Sequence, residues 1–325
     1  MSAYRDRPVL VTGGAGFIGS HLVEELVRLG ARVTVVDSWA TGHRDNLAGV
    51  IDRVDVCTLD LRHDDIRPLL TERGVEVIFH LAGNAFVPTS VENPRWDFET
   101  NALSTFNLLE AVREASPRVR LVYSSTAAVY GEGVRMPIRE DDPAVPIAPY
   151  GISKLAGERY TAAYAKLHGL HTVVVRLFSV YGPRQRKQVV YDLIRKVHEN
   201  ANELFIHGDG SQVRDFNHVS NVVAAMLFVS ERARFEGEVY NVAGEDAVSI
   251  AELARIICER MGAAPRFVYS GDVRPGEAQR WTADISRLKA LDYRPRLGLA
   301  DGVADTVSWF RREIEGAGSK DAAAG

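Results

Sequence analysis

Cysteine is nearly absent from this 325-residue chain: there are two, Cys57 and Cys258, each on an apolar stretch with no partner at metal-ligand spacing. That excludes a disulfide scaffold and predicts buried free thiols in a reducing compartment. Basic charge is not in surplus either. With 39 Lys and Arg against 43 Asp and Glu, the formal net charge is −4, which offers no electrostatic footprint for nucleic acid. No apolar run reaches the length of a membrane span, and the first residues, Met-Ser-Ala-Tyr-Arg-Asp-Arg-Pro, hold no apolar signal core. Internal repeats and low-complexity linkers are also missing. His80, His198 and His207 lack ligand spacing or an acid partner, so no metal site is expected. These absences leave a cytoplasmic enzyme with neither a nucleic-acid nor a membrane partner as the expectation.

What is present is alternation. Hydrophobic residues make up 46% of the chain and charged ones 25%, as in soluble globular proteins. Strand-like runs at Pro8–Thr12, Arg32–Asp37, Val54–Asp60, Glu76–Leu81, Arg118–Ser124 and Thr172–Phe178 alternate with helical patterns at Ile18–Leu29, Ile66–Arg73, Trp96–Glu114 and Tyr150–His168. The strands are continuously apolar, which predicts a parallel sheet covered on both faces. The fold class is therefore α/β, with a doubly wound, Rossmann-like parallel sheet. After Phe178 the elements shorten around Gly182-Pro183-Arg184-Gln185 and Gly208-Asp209-Gly210-Ser211. Residues 1–178 are expected to form the dinucleotide-binding domain, a late strand near 239–242 to rejoin it, 179–315 to form mainly a smaller C-terminal lobe, and 316–325 to be a flexible tail.

Two motifs carry chemistry. Gly13-Gly14-Ala15-Gly16-Phe17-Ile18-Gly19 follows the first strand and opens a helix, reading as G-x-G-x-x-G from Gly14 or G-x-x-G-x-x-G from Gly13. In that context the glycines let backbone approach a pyrophosphate, and the helix N-terminus stabilises its charge. Asp37 ends the second strand, where a carboxylate accepts from an adenosine ribose and repels a 2′-phosphate, which favours NAD over NADP. Tyr150 and Lys154 stand four apart on one face of a predicted helix. A free phenol titrates near 10; a neighbouring cation and the positive nicotinamide of NAD⁺ favour the phenolate. At the end of the fifth strand, Ser124-Ser125-Thr126-Ala127-Ala128-Val129-Tyr130-Gly131 places small hydroxyls where a sugar could be touched.

With Thr41–Leu47, His80–Gly83, Arg176–Arg184, Gly208–Phe216 and Arg274-Pro275-Gly276-Glu277, these motifs run nearly end to end. The chain resembles the extended short-chain dehydrogenase/reductases of the nucleotide-sugar epimerase/dehydratase family, closest in pattern to the UDP-galactose (UDP-hexose) 4-epimerases. The resemblance implies NAD as cofactor, held by Gly13, Gly16, Phe17, Ile18, Gly19, Asp37, Ser38, Gly42, Asp60, Leu61, Leu81, Ala82, Gly83, Asn101, Ser124, Tyr150 and Lys154. It implies Thr126 as the hydroxyl bridging the sugar 4-OH and Tyr150, with Tyr150, Lys154 and Thr126 catalytic. It assigns Ser90, Ser179 and Trp281 to the sugar and phosphate surroundings, Arg214 and Arg274 to the diphosphate, and Glu277 to the nucleotide ribose, so that the second lobe is the substrate-binding one. A nucleotide-diphosphate sugar, on base rates a UDP-hexose, is the expected partner, and a homodimer through helices near Leu103–Val112 and Tyr160–Leu167 the expected assembly. Related dehydratases carry Asp-Glu directly after the threonine and related decarboxylases a glutamate at the second position; Ala127 and Ala128 supply no proton-transfer group. The pattern is not followed everywhere: Ser179 and Ser38 stand where asparagine is usual. His218-Val219-Ser220-Asn221 replaces Tyr-Val-Asp-Asp, leaving Ser220 or Asn221 to cap the next helix.

Overall fold

The computed structural model describes residues 3–132, 135–272 and 279–323, those from 315 onward by backbone alone. Arg274 and Glu277 lie outside the described residues. In the first half, strands β1 (Pro8–Thr12), β2 (Arg32–Asp37), β3 (Asp55–Thr58), β4 (Val77–His80), β5 (Arg120–Thr126) and β6 (His171–Leu177) alternate with helices. Then come β7 (Val180–Tyr181), β8 (Glu203–Ile206), β9 (Val213–His218) and β10 (Glu236–Val242). The last strands are β11 (Asp246–Ser249), β12 (Arg266–Tyr269) and β13 (Arg280–Trp281).

Seven strands make one parallel sheet in the order β10-β6-β5-β4-β1-β2-β3. The order reverses between β1 and β4, the place where such sheets open a crevice at their carboxyl ends. Both faces are covered, because each βαβ crossover lays an amphipathic helix on one side. On one face Leu22, Val23 and Leu26 of the Phe17–Arg28 helix and Val222, Met226 and Val229 of the Val219–Arg232 helix are fully buried in one cluster. On the other, Leu108, Leu109 and Val112 of the Ser104–Ala115 helix and Tyr164 of the Pro149–His168 helix close a second cluster. Each fully buried Val, Leu or Phe contributes roughly 1.5–3 kcal/mol. A third cluster joins the helices Gln188–Glu199, Ile250–Met261 and Leu299–Ala323 around Leu204, Ile206 and Phe216.

The expected late strand is β10, paired with β6 at the sheet edge. Two local expectations change. The single Trp96–Glu114 helix is three pieces: Pro94–Phe98, a π-helical turn Glu99–Leu103, and Ser104–Ala115. The wide turn re-aims Asn101 inward, a common use of such bulges. Neither Ser220 nor Asn221 caps the helix after β9: His218 does, its Nδ1 accepting from the Ser220 amide. Asn221 instead braces a distant loop, its Oδ1 accepting from the Arg296 and Leu297 amides. Helix Leu299–Ala323 runs into the Gly/Ala-rich segment at the end of the described residues.

Candidate active site

The cofactor end starts with the turn after β1. Gly13 has φ +67, and a Cβ there would lie 2.7 Å from the Ala82 amide nitrogen. A Cβ on Gly19 would collide with the Gly13 carbonyl. Strand β1, its turn and the following helix are thus packed backbone on backbone, leaving a cradle that side chains would fill. Phe17 and Ile18 open the helix and are only partly buried. Asp37 is buried, accepting from the Ala15 amide at 2.9 Å and the Trp39 amide at 2.9 Å, so its carboxylate is locked facing the glycine turn. A Cβ on Gly42 would sit 2.7 Å from that carboxylate. Ser38 is exposed beside it.

Asp60 is gripped by the Arg62 guanidinium at 2.6 Å, which holds its carboxyl below the usual range; Leu61 next to it is buried. Leu81 and Ala82 hang from Thr12, through its carbonyl at 3.1 Å and its hydroxyl at 3.2 Å. That hydroxyl also meets His80 Nδ1 at 2.7 Å, while His80 Nε2 meets Thr105 at 3.0 Å. Burial and then the charge of Lys154 push His80 down to about 3, so it is a neutral strut, as its spacing suggested. Gly83 faces Asn101: a Cβ there would lie 2.5 Å from Asn101 Oδ1 and 3.6 Å from Lys154 Nζ. Asn101 Oδ1 is buried with no partner, an acceptor held open at the position expected to meet the cofactor. A glycine cradle, a locked acid at the end of β2 and an orphan acceptor by Lys154 fit a dinucleotide with its nicotinamide end toward Tyr150.

The residues expected to be catalytic come together because the Pro149–His168 helix can lie close on β5. A Cβ on Gly151 would be 2.6 Å from the Ala128 carbonyl, and one on Gly157 would strike the Tyr123 hydroxyl. The Tyr123 hydroxyl donates to the Lys154 carbonyl at 3.2 Å. Tyr150 is buried and hydrogen-bonded to the Thr126 hydroxyl. Burial pushes its phenol up to about 12, against the Thr126 bond. Burial pushes Lys154 down to about 8, with Glu158 and Asp97 opposing; its Nζ lies 4.7 Å over the Tyr123 ring. Ser124 is buried, and the buried Ser125 hydroxyl has no partner.

Residues 9–243, from β1 past the return strand β10, match the model of the NAD dependent epimerase/dehydratase family. The chain belongs to that family. A UDP-glucose 4-epimerase of Mycolicibacterium smegmatis is 36% identical, the match covering 94% of this chain and 99% of that protein. A UDP-N-acetyl-alpha-D-glucosaminuronate decarboxylase of Bacillus cytotoxicus is 34% identical over 94% of this chain and 98% of its own. The crystal structure of the Thermus thermophilus UDP-glucose 4-epimerase complexed with NAD superposes with a TM-score of 0.85 at 35% identity, covering 94% and 99% of the two chains. This epimerase/dehydratase-family chain is thus an NAD-dependent enzyme of nucleotide-sugar chemistry.

The residues expected on the substrate side are placed as follows. The Ser90 hydroxyl donates to the Val87 carbonyl at 2.6 Å and is fully buried. Ser179 has φ +20 and its carbonyl accepts from the Asn217 amide. Arg214 lies 5.0 Å over the Trp281 ring and donates to the Val213 and Gln279 carbonyls at 3.0 and 3.2 Å. Trp281 donates from Nε1 to the Gly131 carbonyl at 2.8 Å, which ties it to the end of the Ser124–Gly131 segment. Among the described residues no His, Cys, Asp and Glu group could hold a metal, and no helix is long and apolar enough to cross a membrane. Sequence reading missed one cluster altogether: Asn84, Asp97 and Ser153, which surround Asn101. Its one signal was the i, i+4 spacing of Asp97 and Asn101.

Proposed function

We propose that this chain is a nucleotide-sugar 4-epimerase that interconverts UDP-glucose and UDP-galactose, or a close UDP-sugar pair, through a transient 4-keto sugar. The observation that supports this most is the buried pair Ala127 and Ala128 directly after Thr126, in a site that otherwise has a tyrosine–lysine pair. Elimination or decarboxylation calls for proton-transfer groups there, and alanine has none.

Bound NAD supplies a hydride acceptor and donor at C4. The chain's own residues do the rest. Tyr150, as phenolate, takes the 4-OH proton through or beside Thr126 and returns it later. The Lys154 cation favours the phenolate and holds the nicotinamide ribose. Arg214, joined by Arg274, grips the diphosphate through charge-assisted bonds, and Glu277 holds the nucleotide ribose. Once C4 is a carbonyl, the sugar is tethered only by its diphosphate, so rotation can present the other face. Proton NMR of the protein with UDP-galactose and no added cofactor should show the UDP-glucose anomeric signal growing. NAD-loaded protein that converts no UDP-hexose would overturn the substrate assignment; steady consumption of added cofactor would favour a reductase or dehydrogenase.

Trp281 is the proposed limit on the sugar's C2 substituent, a bulky ring fixed by Gly131 and Arg214. Trp281→Ala should raise activity on UDP-N-acetylgalactosamine relative to UDP-galactose by about tenfold, the scale of 1–2 kcal/mol of relieved overpacking. An unchanged ratio would assign the ring to packing alone.

A homodimer is proposed through the exposed Phe98, Ile152, Tyr160 and Leu167, the last three on the helix carrying Tyr150. On the helix near Leu103–Val112, Leu108, Leu109 and Val112 cover the sheet, the alternative use of that apolar face. Leu167→Glu with Tyr160→Lys should halve the mass seen by light scattering.

A further inference from the structure

Asp97 is a fully buried carboxylate that the mechanism above does not use. Its Oδ1 accepts from Asn84 Nδ2 at 2.7 Å and Asn101 Nδ2 at 3.1 Å, and its Oδ2 from the Ser153 hydroxyl at 2.6 Å. Asn101 Nδ2 also reaches Ser153 Oγ at 3.0 Å, and Ser153 Oγ meets the Tyr150 carbonyl at 3.0 Å. The carboxylate thereby joins three pieces of backbone: the loop after β4, the π-helical turn, and the helix bearing Tyr150 and Lys154. Because both amide hydrogens' partners lie on this side, Asn101 Oδ1 is left without a partner, facing Gly83.

We propose that Asp97 is a positioning residue for the proton transfer: the buried counter-charge that holds Asn101 and the Tyr150–Lys154 helix in register and sets the pH window in which that pair works. The inference rests on the family's hydride chemistry and on the Tyr150–Lys154 roles proposed above.

The charges around the pair support it. On the pair's own helix, Glu158 faces Lys154 but is committed to Arg176, at 2.7 Å with both side chains buried. On β4, His80 is neutral; on β5, Tyr123 offers a ring whose phenol burial pushes well above its ordinary value. Asp97, on the Pro94–Phe98 helix, has no ion pair among the described residues, yet its charge acts on both members, raising Tyr150 and Lys154 alike. Tyr150 and Lys154 titrate as a unit, and the working form, phenolate beside ammonium, has lost one of the pair's two protons. A nearby negative charge favours keeping each proton. Removing it must therefore move both the acid and the alkaline limbs of the pH profile to lower pH.

Asp97→Asn tests this on the NAD-loaded protein, because an amide can keep the same contacts without the charge: oxygen toward the two asparagines, nitrogen toward Ser153. Two readouts are taken from about pH 6 to 11, the range into which the positive nicotinamide of bound NAD⁺ and the Lys154 ammonium bring a phenol that burial alone lifts to about 12. One is conversion of UDP-galactose. The other needs no substrate: the tyrosinate absorbance of Tyr150, obtained by subtracting a Tyr150→Phe background. Both limbs of conversion and the tyrosinate midpoint should move down by on the order of one pH unit. Conversion scaled down at every pH with the limbs in place would overturn the proposal and leave Asp97 a fold residue. If the wild type converts no UDP-hexose, the tyrosinate midpoint alone decides about Asp97, whereas the substrate assignment falls separately. Should Asp97→Asn not fold, Asp97→Ser, also uncharged, must give the same downward shift; an unmoved midpoint there overturns the proposal as well.

Discussion

Tyr150→Phe should lower turnover of the UDP-sugar by roughly 10²–10⁴-fold, the usual span for loss of a positioned acid–base group. The change removes one oxygen and leaves the buried ring. The lost hydroxyl has Thr126 as its hydrogen-bond partner. Its removal should therefore alter stability by about 1 kcal/mol or less. KM and the amount of NAD retained on purification should stay near wild type, because neither the diphosphate grip nor the glycine cradle is touched. The split is what makes the result informative: kcat falls while the melting temperature and bound NAD hold. A variant that kept more than a tenth of wild-type turnover would show that some other group moves the C4 hydroxyl proton. Thr126 would then be the group to examine, its hydroxyl being bonded to the phenol.

Gly19→Ala should produce protein that is stripped of NAD and less stable by about 1–3 kcal/mol, the scale of an overpacked core site. The added methyl collides with the Gly13 carbonyl and comes within 2.9 Å of Gly14 Cα. Those are backbone atoms at the tip of β1, so they cannot swing aside as a long side chain would. Relief requires opening the turn, and the turn also fixes the Gly13 amide on the Val36 carbonyl at 2.8 Å. The same displacement moves the Ala15 amide off Asp37 and spoils the helix N-terminus as an anion site. NAD retention measured on the purified variant, together with its melting curve, checks this. A variant that bound NAD normally at wild-type stability would mean that the cradle is more compliant than its contacts imply.

The parts of the molecule readable from the residues are those where a single physical demand acts on a short stretch. Val9, Leu10 and Val11 are continuously apolar because a parallel strand is buried on both faces, and such a run is hard to mistake. Gly13, Gly19 and Asp37 were legible because close backbone approach and a strand-end acid leave a residue-type signature. Tyr150 and Lys154 share a helix, so their relation survives in the spacing. Asp97 was not legible. In the smooth helical pattern of Trp96–Glu114 an aspartate reads as a solvated position, and nothing local tells that a π-helical turn follows it or that it is buried. Its partners Asn84 and Ser153 are 13 and 56 residues away, so the cluster exists only in three dimensions. The His218 cap escaped for a different reason: imidazole is not among the usual capping side chains. Ser220 and Asn221 have the better propensity, but Asn221 was already committed to the Arg296–Leu297 loop.

The place of β10 has a consequence for how the chain is made. Until residues 236–242 arrive, β6 is the open edge of a six-stranded parallel sheet, and Val173, Val174 and Val175 in it are fully buried in the finished protein. The covering strand lies fifty-eight residues further along, after segment 178–235. At a synthesis rate of roughly 5–20 residues per second, a nascent chain on the ribosome would present that bare edge for about 3–12 seconds. Such an edge is a template for pairing with another chain. Slow translation through 178–235, or a stop within it, should therefore yield aggregates rather than a soluble cofactor-binding half, and the bond from the Phe178 amide to the Val242 carbonyl at 3.0 Å marks where that exposure ends.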